Sequence, residues 1–242
     1  MSKRKLKISP QSLSFIDLFS ELTNDDRVYI AKKCIGAKYS IDEVILSKKD
    51  QDTFVYFIIS GSVRIIFFSE SGKEITFRDQ HTGEFFGEIA AIDHAPRSAH
   101  VVALEDSMIA VMTASDFLLL LHQYPPVMQK AFARLATLIR LLSDRIIEYS
   151  TLGVINRVHN ELLKLAYDAQ VKNNMARISP VPTHFEISNR ISSHREAVTR
   201  ELRQLTVNGL LRKSKNCLTI TDVKKLEKIV RDTYQDWPPL VS

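Results

Sequence analysis

One run, residues 125–150, limits what this 242-residue chain can become. Pro125-Pro126 opens it, where the missing proline N–H costs no helical bond. Val127, Ala131, Leu135, Leu138, Leu142, Ile146 and Tyr149 then recur at steps of three or four, the spacing of one helix face. A helix of this length extends ~39 Å. One small domain cannot cover all of it. The surplus apolar face suits a self-paired, coiled-coil-like seam and hence a homodimer. The competing reading is a single core helix packed on its own domain.

The run also separates two textures. Upstream, residues 12–34 read as helical and are split by Thr23-Asn24-Asp25-Asp26, where Thr23 or Asn24 can cap a second short helix. From about Ala37 to Met112, runs rich in β-branched and aromatic residues alternate with turn signals. The strand candidates are 44–46, 54–59, 63–68, 74–78 and 101–112. Gly61 and Gly72 mark hairpin turns at Ser60-Gly61-Ser62 and Glu70-Ser71-Gly72-Lys73. Short strands at this spacing predict an antiparallel roll or barrel. Ser115 is the expected N-cap of a helix that leads to the long run.

Downstream, Gly153 interrupts the pattern and reads as a hinge. An amphipathic helix follows through Val158, Leu162 and Leu163, and Ile178-Ser179-Pro180-Val181-Pro182 reads as extended. Thr183-His184-Phe185-Glu186 has the form of a capping box. A short helix, a Ser192-Ser193 turn and a second helix from Ser193 or His194 come next. Ala197, Val198, Leu202 and Leu205 form its inward stripe, and Arg195, Glu196, Thr199, Arg200 and Arg203 stay outside. This is a helix-turn-helix whose second helix fits a major groove. Arg195 suits guanine O6/N7, Glu196 suits cytosine N4, and Arg200 suits a phosphate or a second guanine. The competing reading is an exposed charged helix with i,i+4 pairs such as Glu196–Arg200. A basic hairpin from Leu211 to Ile220, with Arg212, Lys213 and Lys215 near its tip, adds a wing. A last helix starts at Thr221-Asp222.

Charge supports this division. Residues 1–175 carry 21 Lys+Arg against 21 Asp+Glu, whereas residues 176–231 carry 12 against 5. A local basic excess on a neutral body fits double-stranded DNA as partner. No apolar run approaches the roughly 20 residues that span a bilayer. The basic start Met1-Ser2-Lys3-Arg4-Lys5 lacks the apolar segment of a secretory signal, so no membrane contact and a cytoplasmic location are expected. Cys34 and Cys217 lie too far apart in sequence to suggest a disulfide framework and read as buried apolar residues. No nucleophile elbow, Walker loop or metal-spaced His/Cys/Glu set appears, which argues against an enzyme and against catalytic or metal residues. His81, His94, His100 and His122 are scattered.

The stretch from Gly83 to Val101 holds the remaining chemistry. Two glycines bracket Phe85-Phe86, a carboxylate (Glu88) follows Gly87, and Arg97 comes nine residues later. One acceptor, one cation and several points of close backbone approach suit a small ligand with hydroxyls and a phosphate. A mutual Glu88–Arg97 ion pair is the purely structural alternative.

Two motifs carry a family resemblance. Phe86-Gly87-Glu88-Ile89-Ala90…Pro96-Arg97-Ser98-Ala99 looks like the phosphate-binding cassette of cyclic-nucleotide-binding domains. Ser193-His194-Arg195-Glu196-Ala197-Val198-Thr199-Arg200 is similar to a recognition helix. From about residue 12 to 231 the chain resembles the cyclic-AMP receptor/FNR (catabolite activator) family of bacterial transcription regulators. The resemblance implies an α+β chain with three parts: a β-roll cyclic-nucleotide-binding domain over 1–124, a dimerisation helix and hinge over 125–152, and a winged helix-turn-helix over 153–242. It implies that Glu88 accepts the ribose 2′-OH, that Arg97 pairs with the cyclic phosphate, and that Ser98 and Ala99 complete the cradle with Phe86, Gly87, Ile89 and Ala90. Thr183, Ser193, His194, Arg195, Glu196, Thr199, Arg200, Lys213 and Lys215 would meet DNA, and RNA polymerase would be a further partner. The family's adenine-contacting Thr-Ser pair falls on Leu142-Ser143. Leu142 has no polar atom for an adenine amino group, so cyclic AMP is the first expectation and cyclic GMP the second. A regulator with a vestigial pocket, or a haem or redox sensor of the same family, are the alternatives.

Overall fold

Residues 55–59 are apolar without a break, and the reason is that both faces of their strand are buried. The computed structural model describes residues 6–70 and 72–233. The basic start Met1–Lys5 and Ser71 of the expected hairpin turn lie outside them. The chain divides into two units, the first ending at Leu141 and the second beginning at Leu142.

In the first unit, α1 (Pro10–Leu13), a 3-10 turn (Asp17–Phe19) and α2 (Asn24–Ala31) precede the strands β1 (Ile35–Tyr39), β2 (Val44–Leu46), β3 (Val55–Ser60), β4 (Ser62–Phe68), β5 (Glu74–His81) and β6 (Phe85–Phe86). Then come α3 (Glu88–Asp93), β7 (His100–Ala103), β8 (Ser107–Met112), α4 (Ala114–Gln123) and α5 (Pro125–Thr151), whose residues from Leu142 onward belong to the second unit. Two antiparallel four-stranded sheets form the roll, ordered β1-β8-β3-β6 and β2-β7-β4-β5. Alternation along β3 splits its side chains between two cores. Tyr56 and Ile58 join Ile45, Val63, Phe86 and Val101 between the sheets. Val55 and Phe57 join Phe19, Phe85 and Phe117 under the helices. The Phe19 and Phe57 rings lie 5.0 Å apart. Each such fully buried side chain contributes roughly 1.5–3 kcal/mol.

Several local expectations are corrected. The helical text over 12–34 resolves into short pieces, although the expected cap at Thr23 is present and closes a capping box on Asp26. The N-cap of α4 is Thr113, whose hydroxyl accepts from the Asp116 N–H, and Ser115 lies inside the first turn. The 101–112 run breaks into β7 and β8, and β1 extends the sheet upstream of the expected start. The stripe on α5 is also two stripes. Val127 and Ala131 are buried in the core beneath it. Phe132, Ile139, Leu142 and Ile146 are exposed at 58, 64, 46 and 66%.

In the second unit, α6 (Val154–Asp168), β9 (Ala176–Ile178), α7 (His184–Arg190), α8 (Arg195–Val207), β10 (Leu211–Lys213), β11 (Leu218–Ile220) and α9 (Val223–Thr233) follow the end of α5. The wing hairpin gains β9 as a third strand, in the order β10-β11-β9. Val158, Leu162, Ile187, Val198, Leu202, Ile220 and Leu226 are core residues here. Thr183 caps α7 through the expected box with Glu186. The turn between α7 and α8 puts Ser192 at φ 50°, a left-handed conformation that costs a non-glycine residue about 1–2 kcal/mol. Among the described residues no helix is long and apolar enough to cross a membrane.

Candidate functional site

The cassette is built by β6, α3 and the segment leading into β7. Gly87 has φ 85°, and a Cβ there would lie 2.7 Å from the Phe54 carbonyl oxygen and 3.0 Å from Arg97 Nη1. Only glycine meets both the backbone conformation and the space. The chain therefore turns closely enough for Arg97 Nη1 to donate to the Gly87 carbonyl at 3.1 Å. Glu88 begins α3 and is 5% exposed. Burial pushes its carboxyl above the usual range, against the pull of a backbone hydrogen bond and of Arg134, Arg78 and Arg97.

Arg97 is 2% exposed. Its guanidinium lies 5.6 Å from the centre of the Tyr56 ring, which stacks on Phe86 at 5.0 Å. The carboxylate it meets is Asp52, so the alternative of a mutual Glu88–Arg97 pair is not what the structure shows. Nη2 donates both to Asp52 Oδ1 and to the Phe54 carbonyl. Among the described residues the remaining donor, Nε, is buried without a partner. Phe86, Ala90 and Ala99 are buried around this group, whereas Ile89 and Ser98 are exposed. Leu142 and Ser143 sit on α5, both exposed.

A second cluster adjoins the start of the cassette. Glu84 accepts from Arg78 on β5 and pairs with Arg134 on α5 at 3.2 Å. Arg134 also lies 6.0 Å from the centre of the Phe85 ring. Burial, then the nearby Arg134 cation, hold the Arg78 guanidinium below the usual arginine value.

The second unit presents α8 with one face open. Arg195, Glu196, Thr199, Arg200, Arg203 and Gln204 line it. Among the described residues no ion pair joins Glu196 to Arg200, so the charged face is not consumed by i,i+4 pairing. His184 on α7 contacts Thr199 Oγ1 at 2.7 Å. Burial, then the Lys213 and Arg195 cations, hold its imidazole below the usual value. Helix α7, the start of α8 and the β10–β11 hairpin therefore share one electrostatic neighbourhood. Thr183, His194, Lys213 and Lys215 are exposed, and Ser193 is buried. His159 and Glu201 tie α6 to the back of α8 at 2.7 Å.

Comparison with known proteins agrees with both halves. Residues 37–124 match the cyclic nucleotide-binding domain, and residues 156–229 match the Crp-like helix-turn-helix domain. The chain belongs to the CRP/FNR family of bacterial transcription regulators. It is 28% identical over 191 residues to the cyclic AMP receptor protein of Thermus thermophilus, covering 79% of this chain and 86% of that one. It is 25% identical over 179 residues to the cAMP-activated global transcriptional regulator CRP of Escherichia coli O6:H1, covering 74% and 85%. A solved structure of a CooA mutant from Carboxydothermus hydrogenoformans shares the fold, with a TM-score of 0.75 at 18% identity over 94% of this chain and 98% of that one. In this family member, a cyclic-nucleotide-binding domain and a DNA-binding helix-turn-helix occupy separate units.

Sequence reasoning missed Asp52, Arg78, Glu84 and Arg134. Asp52 lies in Asp50-Gln51-Asp52-Thr53, which reads as an ordinary polar loop. Its partner is 45 residues away. Arg134 falls on the polar side of the α5 pattern and gives no local signal.

Proposed function

We propose that this protein is a cyclic-nucleotide-responsive transcription regulator, with cyclic AMP the first candidate effector and cyclic GMP the second. The observation that carries this reading is the cassette itself. A positive-φ glycine, a buried carboxylate and a buried arginine lie around one turn of chain, with an arginine Nε left unpartnered. In this reading Glu88 accepts the ribose 2′-OH and Arg97 neutralises the phosphate monoanion. Ser98 and Ala99 supply donors, while Phe86, Gly87, Ile89 and Ala90 shape the seat. Leu142 and Ser143 stand where the family's base-contacting pair falls and would decide the choice of base. The relatives' names favour cyclic AMP, and the apolar Leu142 keeps cyclic GMP in contention.

Two copies pair along α5 in this reading. Effector favours the dimer arrangement that sets two α8 helices about one DNA turn (~34 Å) apart on a palindromic operator. Arg195, Glu196 and Arg200 read bases and backbone with His194 and Thr199, while the buried Ser193, expected among them, holds the turn before α8 through its N–H to the Ser188 carbonyl. Thr183, Lys213 and Lys215 meet phosphates. RNA polymerase is the further partner, the location is cytoplasmic, and the protein is not an enzyme. Calorimetry with cyclic AMP and cyclic GMP tests the site. Wild type binds at least one of them, and Arg97→Ala loses at least ~100-fold in affinity, the cost of a lost charge-assisted pair of about 3 kcal/mol. Full binding by Arg97→Ala would rule the cassette role out. The Asp52 contact favours one second reading, a ligand-independent regulator with a vestigial pocket. A nucleotide-dependent rise in melting temperature excludes it.

A further inference from the structure

We infer that Asp52 is an internal rival of the effector's phosphate, so that effector binds by exchanging the Asp52–Arg97 ion pair for a phosphate–Arg97 pair. The inference rests on the reading of the cassette as a cyclic-nucleotide site. It follows from how the five guanidinium hydrogens are distributed. A phosphate gripped by two parallel N–H bonds must use either the Nε/Nη2 edge or the Nη1/Nη2 edge. Both edges contain Nη2. Its two hydrogens already go to Asp52 Oδ1 and to the Phe54 carbonyl. Nη1 is held by the Gly87 carbonyl at 3.1 Å, and Nε is buried with no partner among the described residues. The two-point grip of a phosphate is therefore blocked at one atom, and the open donor beside it is the other half of the Nε/Nη2 edge.

Asp52 is built to leave. It sits between β2 and β3 and is 32% exposed, against 2% for Arg97. Its Oδ1 also accepts from the Phe54 N–H at 3.3 Å and from the Tyr56 hydroxyl at 3.5 Å, both weak geometries. A carboxylate with access to water regains hydration when displaced, whereas Arg97 stays anchored by Gly87 and the Tyr56 face. The exchange keeps the buried cation paired in both states, which avoids an uncompensated charge. It also screens the ligand. A neutral nucleoside cannot compensate Arg97 and so cannot evict Asp52, while a cyclic phosphate can. Asp52 thus sets the effector concentration at which the site fills.

The test is calorimetric titration of the full chain with cyclic AMP and with cyclic GMP, comparing wild type, Asp52→Asn and Asp52→Ser. Asp52→Asn keeps the size of the side chain and an acceptor for the Phe54 N–H. Asp52→Ser is the second variant, and a cooperative melt verifies the fold of each. Removing the rival charge should tighten binding about tenfold or more in both variants. Binding by the variants where wild type shows none is the same result in its strongest form. Unchanged or weaker binding beside a wild type that binds would overturn the inference, because Asp52 would then be a spectator or would position Arg97. Absence of binding by all three proteins would remove the cassette reading, and the inference with it.

Discussion

Glu88 shows what burying one carboxyl costs the fold. It is 5% exposed, and burial raises its carboxyl above the ordinary value of 4.5. A carboxyl raised on folding lets the native state hold more protons than the unfolded state. Its contribution to stability is therefore full below pH 4.5 and is lost as pH rises through the folded value. Glu88→Gln should melt higher than wild type at pH 7, by a few degrees, and the gap should close as pH falls towards 4. Calorimetric melts across that range check it, and a Glu88→Gln protein less stable than wild type at pH 7 would contradict it. Gly87, Glu88 and Arg97 were legible because a glycine before a carboxylate, with an arginine nine residues on, is a local pattern. Asp52 was not, since only the folded roll brings the β2–β3 connection against Arg97. The N-cap of α4 was misplaced by two residues because Thr113 and Ser115 both offer a hydroxyl, and only geometry chooses between them.

Helix α5 is the element whose surface asks most for a partner. Phe132, Leu135, Ile139, Leu142, Ile146 and Tyr149 follow steps of three and four, the spacing of a two-stranded seam. Five of them are exposed in the single chain, and Leu135 is half-buried. Ile139→Glu puts a carboxylate at the centre of that seam. Sedimentation should find wild type dimeric at micromolar concentration, with the variant's dimer weakened ~100-fold or more, about 3 kcal/mol. A monomeric wild type would contradict the seam. The periodicity identified the helix and its length but merged two faces into one. Val127 and Ala131 fill the core beneath α5, while Phe132 and Ile139 begin the outer stripe, and a 3.6-residue repeat alone does not say which face meets which partner. Farther along, Arg145 and Tyr149 donate to the Arg190 carbonyl at 2.6 and 3.1 Å, and Glu148 accepts from Asn160 at 2.6 Å. These bonds join the end of α5 to α6 and α7 through polar groups that no apolar pattern announces. The strands were legible where β-branched runs are unbroken, as in β3. They were missed in β1, where Gly36 and Lys38 interrupt the run, and in β9, which is only three residues long.

At the scale of the molecule, one unit holds the cassette of Gly87, Glu88 and Arg97 and the other the open charged face of α8. The charge division between residues 1–175 and 176–231 already separates the two tasks. A pocket matters to DNA only if effector binds the DNA-competent state more tightly than the other. The coupling is reciprocal, so operator raises effector affinity by the factor by which effector raises operator affinity, commonly about 5–150-fold. Asp52 adds a threshold to this scheme, because the site fills only when a phosphate outcompetes the internal carboxylate. The most direct test is operator affinity with and without effector. Fluorescence anisotropy on a palindromic duplex selected from random sequence, with wild-type protein and saturating cyclic AMP or cyclic GMP, should show binding at least ~5-fold tighter with one of them. Equal affinity in the presence and absence of both nucleotides would contradict the account.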